Sequence, residues 1–318
     1  MAQPTNTMDS YDQNGIREDL ANVIYDVSPE ETPFFSSCTK TGASNTYHEW
    51  QTDTLRAAAA NAHVEGDAST AVARASTSRY GNYTQIFKDV VVTSGTDNGL
   101  KKAGRGKEMA YQLMKAGKEQ KLDIEKALFD NNARVAGNST TARELAGVMA
   151  WIKTNTTNVG VGGSDPTGDG TDARTDGTQT AFTQADFDSC MQEIWDAGGK
   201  PDTVYLSSFQ MNVALGFTGM NNQRSTVTAT RRNNMIVKDF DLYVTPWGNV
   251  TFIPARHNRS RDVLVMQSDM WSVAQLRPMT SEELAKDGDY EKRHIFTELT
   301  LCAKNEKASG AVVDCTTS

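Results

Sequence analysis

GNVTFIPARHNRSRDVLVMQSDMWSVAQLRPMTSEELAKDGDYEKRHIFTELTLCAKNEKASGAVVD, residues 248–314, contains strands, turns and an order of elements, but no convergent set of reactive side chains. Two short strands, 250–254 and 262–267, flank a basic turn. An aromatic step at Met270 and Trp271 leads into a strand that is expected to end at Arg277-Pro278. An acidic loop follows. A long alternating strand then runs from Ile295 to Ala303, and the stretch continues through Asn305, Glu306, Lys307 and Ala308. Such a run builds a framework rather than a pocket.

Upstream, the chain reads as further framework. A length of 318 residues allows roughly two domains. Forty acidic and 32 basic residues give a net charge of −8. A sequence-independent DNA binder needs an excess of Lys and Arg to neutralise phosphates, and the overall balance here is the reverse. No apolar run approaches the ~18 residues of a membrane-spanning helix, so no membrane partner is expected. The polar first residues, MAQPTNTMDSYDQNG, lack the apolar core of a signal peptide. Cys38, Cys190, Cys302 and Cys315 are widely spread and form no CxxC pair; they read as reduced thiols.

Residues 16–25 can form a short helix with Leu20, Val23 and Ile24 on one face, and Ser28-Pro29-Glu30-Glu31 can start another turn. Phe34 and Phe35 follow as anchors, into the chain's own core or into a neighbour. Extended segments at 44–54 and 78–93 enclose the small, polar stretch LRAAAANAHVEGDASTAVARAST. The first arm's only large side chains are Tyr47 and Trp50. Neither arm has a consistently apolar face, so this hairpin cannot bury itself alone. A long helix is expected over 106–132, with Ala110, Met114, Gly117, Ile124 and Leu128 inward and i, i+4 pairs Lys115/Glu119, Lys121/Glu125 and Lys126/Asp130 outward. Residues 154–180, rich in Thr, Gly and Asp, read as a solvated surface loop. A compact α/β unit follows: a helix over 182–197 capped by Thr183 with Asp186 three residues on, a strand at 202–206, a helix at 207–217 and an alternating strand at 235–245.

The fragments that suggest chemistry fail on inspection. Gly104-Arg105-Gly106-Lys107-Glu108 lacks the hydroxyl after the lysine and the earlier glycine of a phosphate loop. His48-Glu49 lacks the second histidine of a zinc helix. Asp165, Thr167, Asp169, Gly170 and Asp176 fall at calcium-loop positions, but without the bidentate Glu or flanking helices. No catalytic residue, cofactor site or metal site is therefore expected. The basic pairs and clusters Arg231-Arg232, Arg256, Arg259 and Arg261 suit salt bridges across a subunit boundary, with Glu282 and Glu283 available as partners, or weak non-specific contact with packaged DNA.

In order, the chain shows a short arm, an extended hairpin, a long helix, a compact α/β unit and a return through long strands. With the segments 27–34 (VSPEETPF), 147–155 (GVMAWIKTN), 197–206 (AGGKPDTVYL), 216–219 (GFTG) and 276–310, it resembles the major capsid proteins of tailed double-stranded DNA bacteriophages, the Hong Kong 97-like α+β fold. That resemblance implies an N-terminal arm at 1–43 and an extended loop at 44–93 lying over a neighbour. It also implies a peripheral domain with a spine helix at 94–155 and 268–318, and an axial domain at 156–267. It implies hexameric and pentameric capsomers of an icosahedral or prolate head, a portal and optional decoration proteins. Virion subunits of this kind assemble in the host bacterial cytoplasm. A separate scaffolding protein is expected because only a short polar tail precedes the arm. Subunit contacts would fall to Phe34, Phe35, Trp50, Arg56, Arg74, Arg79 and the Arg and Glu residues of the clusters above. Removing residues 1–36 would then spare folding and abolish shells. Some relatives crosslink covalently through a lysine of the extended loop, and residues 41–87 here contain none. The rival readings are an encapsulin-like cellular compartment of the same fold, and an α+β enzyme or binding protein, which would need a reactive constellation not found here.

Overall fold

The computed structural model describes residues 31–68, 71–102, 104, 106–217 and 242–317. The helices expected at 16–31, the pair Arg231-Arg232 and most of the strand expected at 235–245 lie outside them. In chain order the elements are α1 (Pro33–Ser37), β1 (Thr39–Gly42), β2 (Tyr47–Thr52), β3 (Ser78–Tyr83), β4 (Gln85–Ser94), α2 (Gly95–Gly99), α3 (Glu108–Phe129), β5 (Thr156–Thr157), α4 (Gln184–Asp196), β6 (Thr203–Leu206), α5 (Ser208–Ala214), β7 (Leu242–Thr245), β8 (Gly248–Pro254), β9 (Val263–Met266), β10 (Trp271–Glu283), β11 (Tyr290–Ala303) and β12 (Gly310–Val312).

Three sheets organise these elements. A four-stranded sheet has the order β1-β10-β11-β4, a six-stranded mixed sheet has β5-β12-β9-β6-β8-β7, and β2-β3 form a separate hairpin. β10 does not stop at Pro278. It continues to Glu283 through register shifts between Gln275 and Arg277 and between Arg277 and Thr280. An irregular ladder there leaves no hydrogen bond for the missing proline N–H to break.

The six-stranded sheet is apolar on both faces, as β9 shows residue by residue. Val263 and Val265 pack with Phe187, Cys190, Met191 and Ile194 of α4. Leu264 and Met266 point the other way, into a cluster with Phe129, Trp151 and Trp271. The sheet is thus a partition between two cores rather than the wall of one domain. The chain's end reinforces this. β12 lies between β5 and β9, so the last strand belongs to the six-stranded sheet and not with the peripheral segment 268–318.

α3 is 22 residues, roughly 33 Å at 1.5 Å per residue. Its inward face differs from the apolar count. Met109, Ala116, Gln120, Ile124, Glu125, Leu128 and Phe129 are buried, whereas Ala110 is exposed and Met114 is 59% exposed. Two inward positions are polar because they serve backbone groups: Gln120 Nε2 reaches the carbonyl of Ile295 at 3.4 Å, and Glu125 binds α1. The pairs Lys115/Glu119 and Lys126/Asp130 are present at 3.5 and 3.4 Å, while Glu125 is turned away from Lys121. Where the chain returns past the end of α3, Gly147 sits so close that a Cβ there would lie 1.9 Å from the Asp130 carbonyl oxygen. α4 forms as its sequence dictates: Thr183 and Asp186 make a reciprocal capping box.

Candidate functional site

Two isolated strands are marginal in water, so a projecting hairpin must be held at its root. β2 and β3 pair from Tyr47 opposite Tyr83 to Thr52 opposite Ser78. Asn82 is fully buried. Its amide donates to the carbonyls of Leu301 at 2.9 Å and Ala146 at 3.3 Å, and accepts from the Ala146 N–H at 2.9 Å. Arg134 donates to the Tyr47 hydroxyl at 2.9 Å and to the Gly81 carbonyl, and its guanidinium stands 5.3 Å over the Tyr47 ring. Trp50 packs 5.2 Å from Trp151. The extended segment expected as one strand over 78–93 breaks at Thr84, whose hydroxyl donates to Glu298 at 2.7 Å. β3 stays in the hairpin and β4 leaves to edge the four-stranded sheet. Glu298 is nearly buried and also receives Arg143 at 2.6 Å and Arg277 at 2.9 Å.

Beyond this root, every described residue from 53 to 77 is exposed and outside any strand or helix, and Leu55, Val64 and Val72 are 97%, 81% and 66% exposed. Arg74 is exposed, and Arg56 reaches only the neighbouring Ala57 carbonyl at 3.1 Å. Arg79 pairs across the hairpin with Glu49 at 3.1 Å.

Phe34 and Phe35 are not free anchors for a neighbour. They are 2% and 7% exposed in the chain's own core, with Phe34 5.1 Å from Phe129 and 5.5 Å from Tyr205. Their N–H groups donate to the two oxygens of Glu125 at 2.9 and 2.7 Å. Burial pushes the Glu125 carboxyl up to about 7 against the pull of those two bonds. β1 then pairs parallel with β10, so 33–42 is integral to the four-stranded sheet. Trp50 is likewise packed inward rather than held out.

Arg259 and Arg261 are also used within the chain. Arg174, fully buried, lies 3.1 Å from Asp314, 3.3 Å from Asp165 and 3.9 Å from Asp176. Arg261 meets Asp314 at 2.6 Å and Asp176 at 3.2 Å, and Arg259 meets Asp262 at 2.8 Å and also Asp176. Asp314 additionally accepts from the N–H groups of Gly160 and Gly177 at 3.1 and 2.9 Å, and these donors hold its carboxyl below the ordinary range against the effect of burial. Asp262 is pushed up to about 6 by burial. The segment 154–180 is therefore not a solvated loop. It wraps around Arg174, with Gly170 at φ +78° pressed against Trp151. The acids that matched calcium positions face these guanidiniums and nearby hydroxyls. Arg256 remains exposed, 3.7 Å from Glu31. Glu282 lies 3.6 Å from His294 and Glu283 3.7 Å from Arg293, as cross-strand pairs of β10 and β11.

No nucleophile is presented. All four cysteines are free and buried, and burial pushes the Cys38 and Cys315 thiols up to about 12. Among the described residues no cluster of His, Cys, Asp or Glu could hold a metal, and no helix is long and apolar enough to cross a membrane. Sequence reasoning missed Asn82, Arg134, Glu125, Arg174 and Asp314. Each acts through a partner at least 53 positions away in the chain, a separation that no local pattern reports.

A family described as SU10 major capsid protein matches residues 3–316. The chain is 32% identical over 345 aligned positions to the major capsid protein of Escherichia phage Phieco32, covering 98% of this chain and 97% of that one. Its fold is similar to the capsid asymmetric unit of Cyanophage A-1(L), with a TM-score of 0.71 at 12% identity over 95% of this chain and 98% of the other. It is also similar to the capsid of a native GTA particle, with a TM-score of 0.61 at 8% identity over 96% and 98%.

Proposed function

The chain belongs to the SU10 major capsid protein family, and on that premise we propose how its parts build the shell. It is a structural protein of a phage head, with the Hong Kong 97-like α+β fold, and its relatives are virion proteins rather than enzymes or cellular compartments. Copies associate as hexameric and pentameric capsomers that close an icosahedral or prolate head around double-stranded DNA. The two fused cores form a stiff wedge. The hairpin of β2 and β3 carries residues 53–77 onto a neighbouring copy. Assembly in the host bacterial cytoplasm uses a separate scaffolding protein and a portal, and decoration proteins add to the finished surface. Exposed Arg256 is the remaining candidate for weak, non-specific contact with packaged DNA.

One observation carries this reading. A root held by Asn82, Arg134 and Trp50 presents a segment whose described residues are all exposed. Rigid presentation of a segment that buries nothing in its own chain makes sense only with an acceptor elsewhere. Electron microscopy of protein co-expressed with its scaffold tests it. Closed shells or capsomers are expected, and a monomer under those conditions overturns it. Since residues 41–87 contain no lysine and guanidinium is a poor nucleophile, boiled reduced heads should run as one band near 34.7 kDa.

A further inference from the structure

The exposed large apolar side chains fall into two sets that mirror each other. Leu55, Val64 and Val72 lie on the projecting segment. Ile86, Val90 and Val92, at alternate positions of β4, are 47%, 42% and 55% exposed. Alternation places these three on one face of the four-stranded sheet. The other face is turned to α3: a Cβ on Gly117 would sit 3.9 Å from Ile295, which pairs with Asp89 of β4. Phe296, opposite Lys88, shares the open face. At the Ile86 end this face runs into a groove of about 440 Å³ bordered by residues 136–143.

The charges match as well. Lys88 stands among the three apolar residues, and Lys292 pairs in register with Val92. Among the described residues neither lysine makes an ion pair, and neither does Glu65 at the turn of the projecting segment. In a closed shell built by head-to-tail contacts, one chain carries both halves of every contact. A donor segment with exposed apolar side chains and an unpaired acid, and an acceptor face with exposed apolar side chains and two unpaired lysines, are such halves.

We propose that residues 53–77 of one copy lie across the open face of the four-stranded sheet of a second copy, with Leu55, Val64 and Val72 against Ile86, Val90 and Val92, and Glu65 beside Lys88 and Lys292. The reach suffices. The strip from Ile86 to Val92 spans roughly 20 Å, and a doubled-back segment of this length extends up to ~40 Å. The assignment rests on the head-shell reading and names the surface that the projecting segment meets.

Wild-type heads test it without any substitution. Amine-reactive labelling of Lys88 and Lys292 should slow at least tenfold in heads relative to dissociated subunits. A zero-length carbodiimide, which joins a carboxylate to an amine in contact with it, should then couple Glu65 or another acid of 53–77 to Lys88 or Lys292. Those couplings should appear in covalent dimers of about twice 34.7 kDa, identified by mass spectrometry of their peptides. Equal labelling in heads and subunits overturns the proposal. So does protection without such couplings, or with couplings to another segment or another protein. Each of those results leaves the head-shell reading standing, because the heads have formed; that reading fails separately, if no heads form at all.

Discussion

Residues 53–77 and residues 156–180 are written in the same alphabet of small and polar side chains, yet one is exposed throughout and the other is pinned to the body. The difference is not composition, since both contain acids and arginines. It lies in where one cation goes. Arg174 is buried against Asp165 and Asp314, and Asp314 in turn gathers Arg261 and two backbone N–H groups. A buried carboxylate with four donors is satisfied rather than stranded, so the loop that supplies them is held. Arg56 and Arg74 reach no such acid among the described residues. A polar segment is thus ordered by its own chain when its charges find a desolvated partner, and left for another copy when they do not.

The largest expected effect breaks the ordered side of that contrast. Arg174→Ala leaves Asp314 and Asp165 facing each other without their cation and should cost ~4 kcal/mol of stability. Thermal unfolding should fall accordingly, and limited proteolysis should newly cut within 156–180. An unchanged melting temperature would mean that the loop is held by something else.

Next comes the arm, which shares the fate of 156–180 rather than of 53–77. Phe34→Ala opens a cavity between Phe129, Tyr205 and Trp271 and should cost ~3 kcal/mol, read by denaturant midpoint. Deleting residues 1–36 removes both Phe34 and Phe35, so destabilised protein is expected instead of folded subunits that fail only to assemble. Truncations ending before Glu31 would then separate the arm's assembly role from its core role.

A pH titration sharpens the comparison through two buried carboxyls of opposite sign. Glu125 is raised to about 7 in the folded chain, so its contribution is fully present below the ordinary Glu value and is lost as pH rises through 7. Glu125→Gln should remove a downward slope in stability between about pH 5 and 8, on the order of 2 kcal/mol. Asp314 is lowered, so its contribution is present at neutral pH and is lost as pH falls below the usual carboxylate range. Acid should therefore loosen 156–180, seen as faster hydrogen exchange there, while leaving the Glu125 contact intact.

The smallest effect on the subunit belongs to the exposed side. Serine at Leu55, Val64 and Val72 together should move subunit stability by less than ~0.5 kcal/mol, because those side chains bury nothing in their own chain. Head yield, counted by electron microscopy, should nevertheless fall at least tenfold.

Local physics was legible in the chain. The capping box at Thr183 and Asp186, the buried face of Phe187, Cys190, Met191 and Ile194, and the short strand at 203–206 depend on neighbours within a few residues, and all are present. So is the segment that cannot bury itself, since an absence of apolar alternation needs no partner to be read. Tertiary structure alone decided the rest. The break of one long strand at Thr84 follows from Glu298, 214 residues away. The polar inward face of α3 follows from Phe34 and Phe35, 91 and 90 residues before Glu125. The holding of 156–180 follows from Asp314, 140 residues after Arg174. Helix caps and strand alternation are short-range energies that a sequence displays directly. A buried charge is worth placing only where its counter-charge has also been placed, and folding brings the two together.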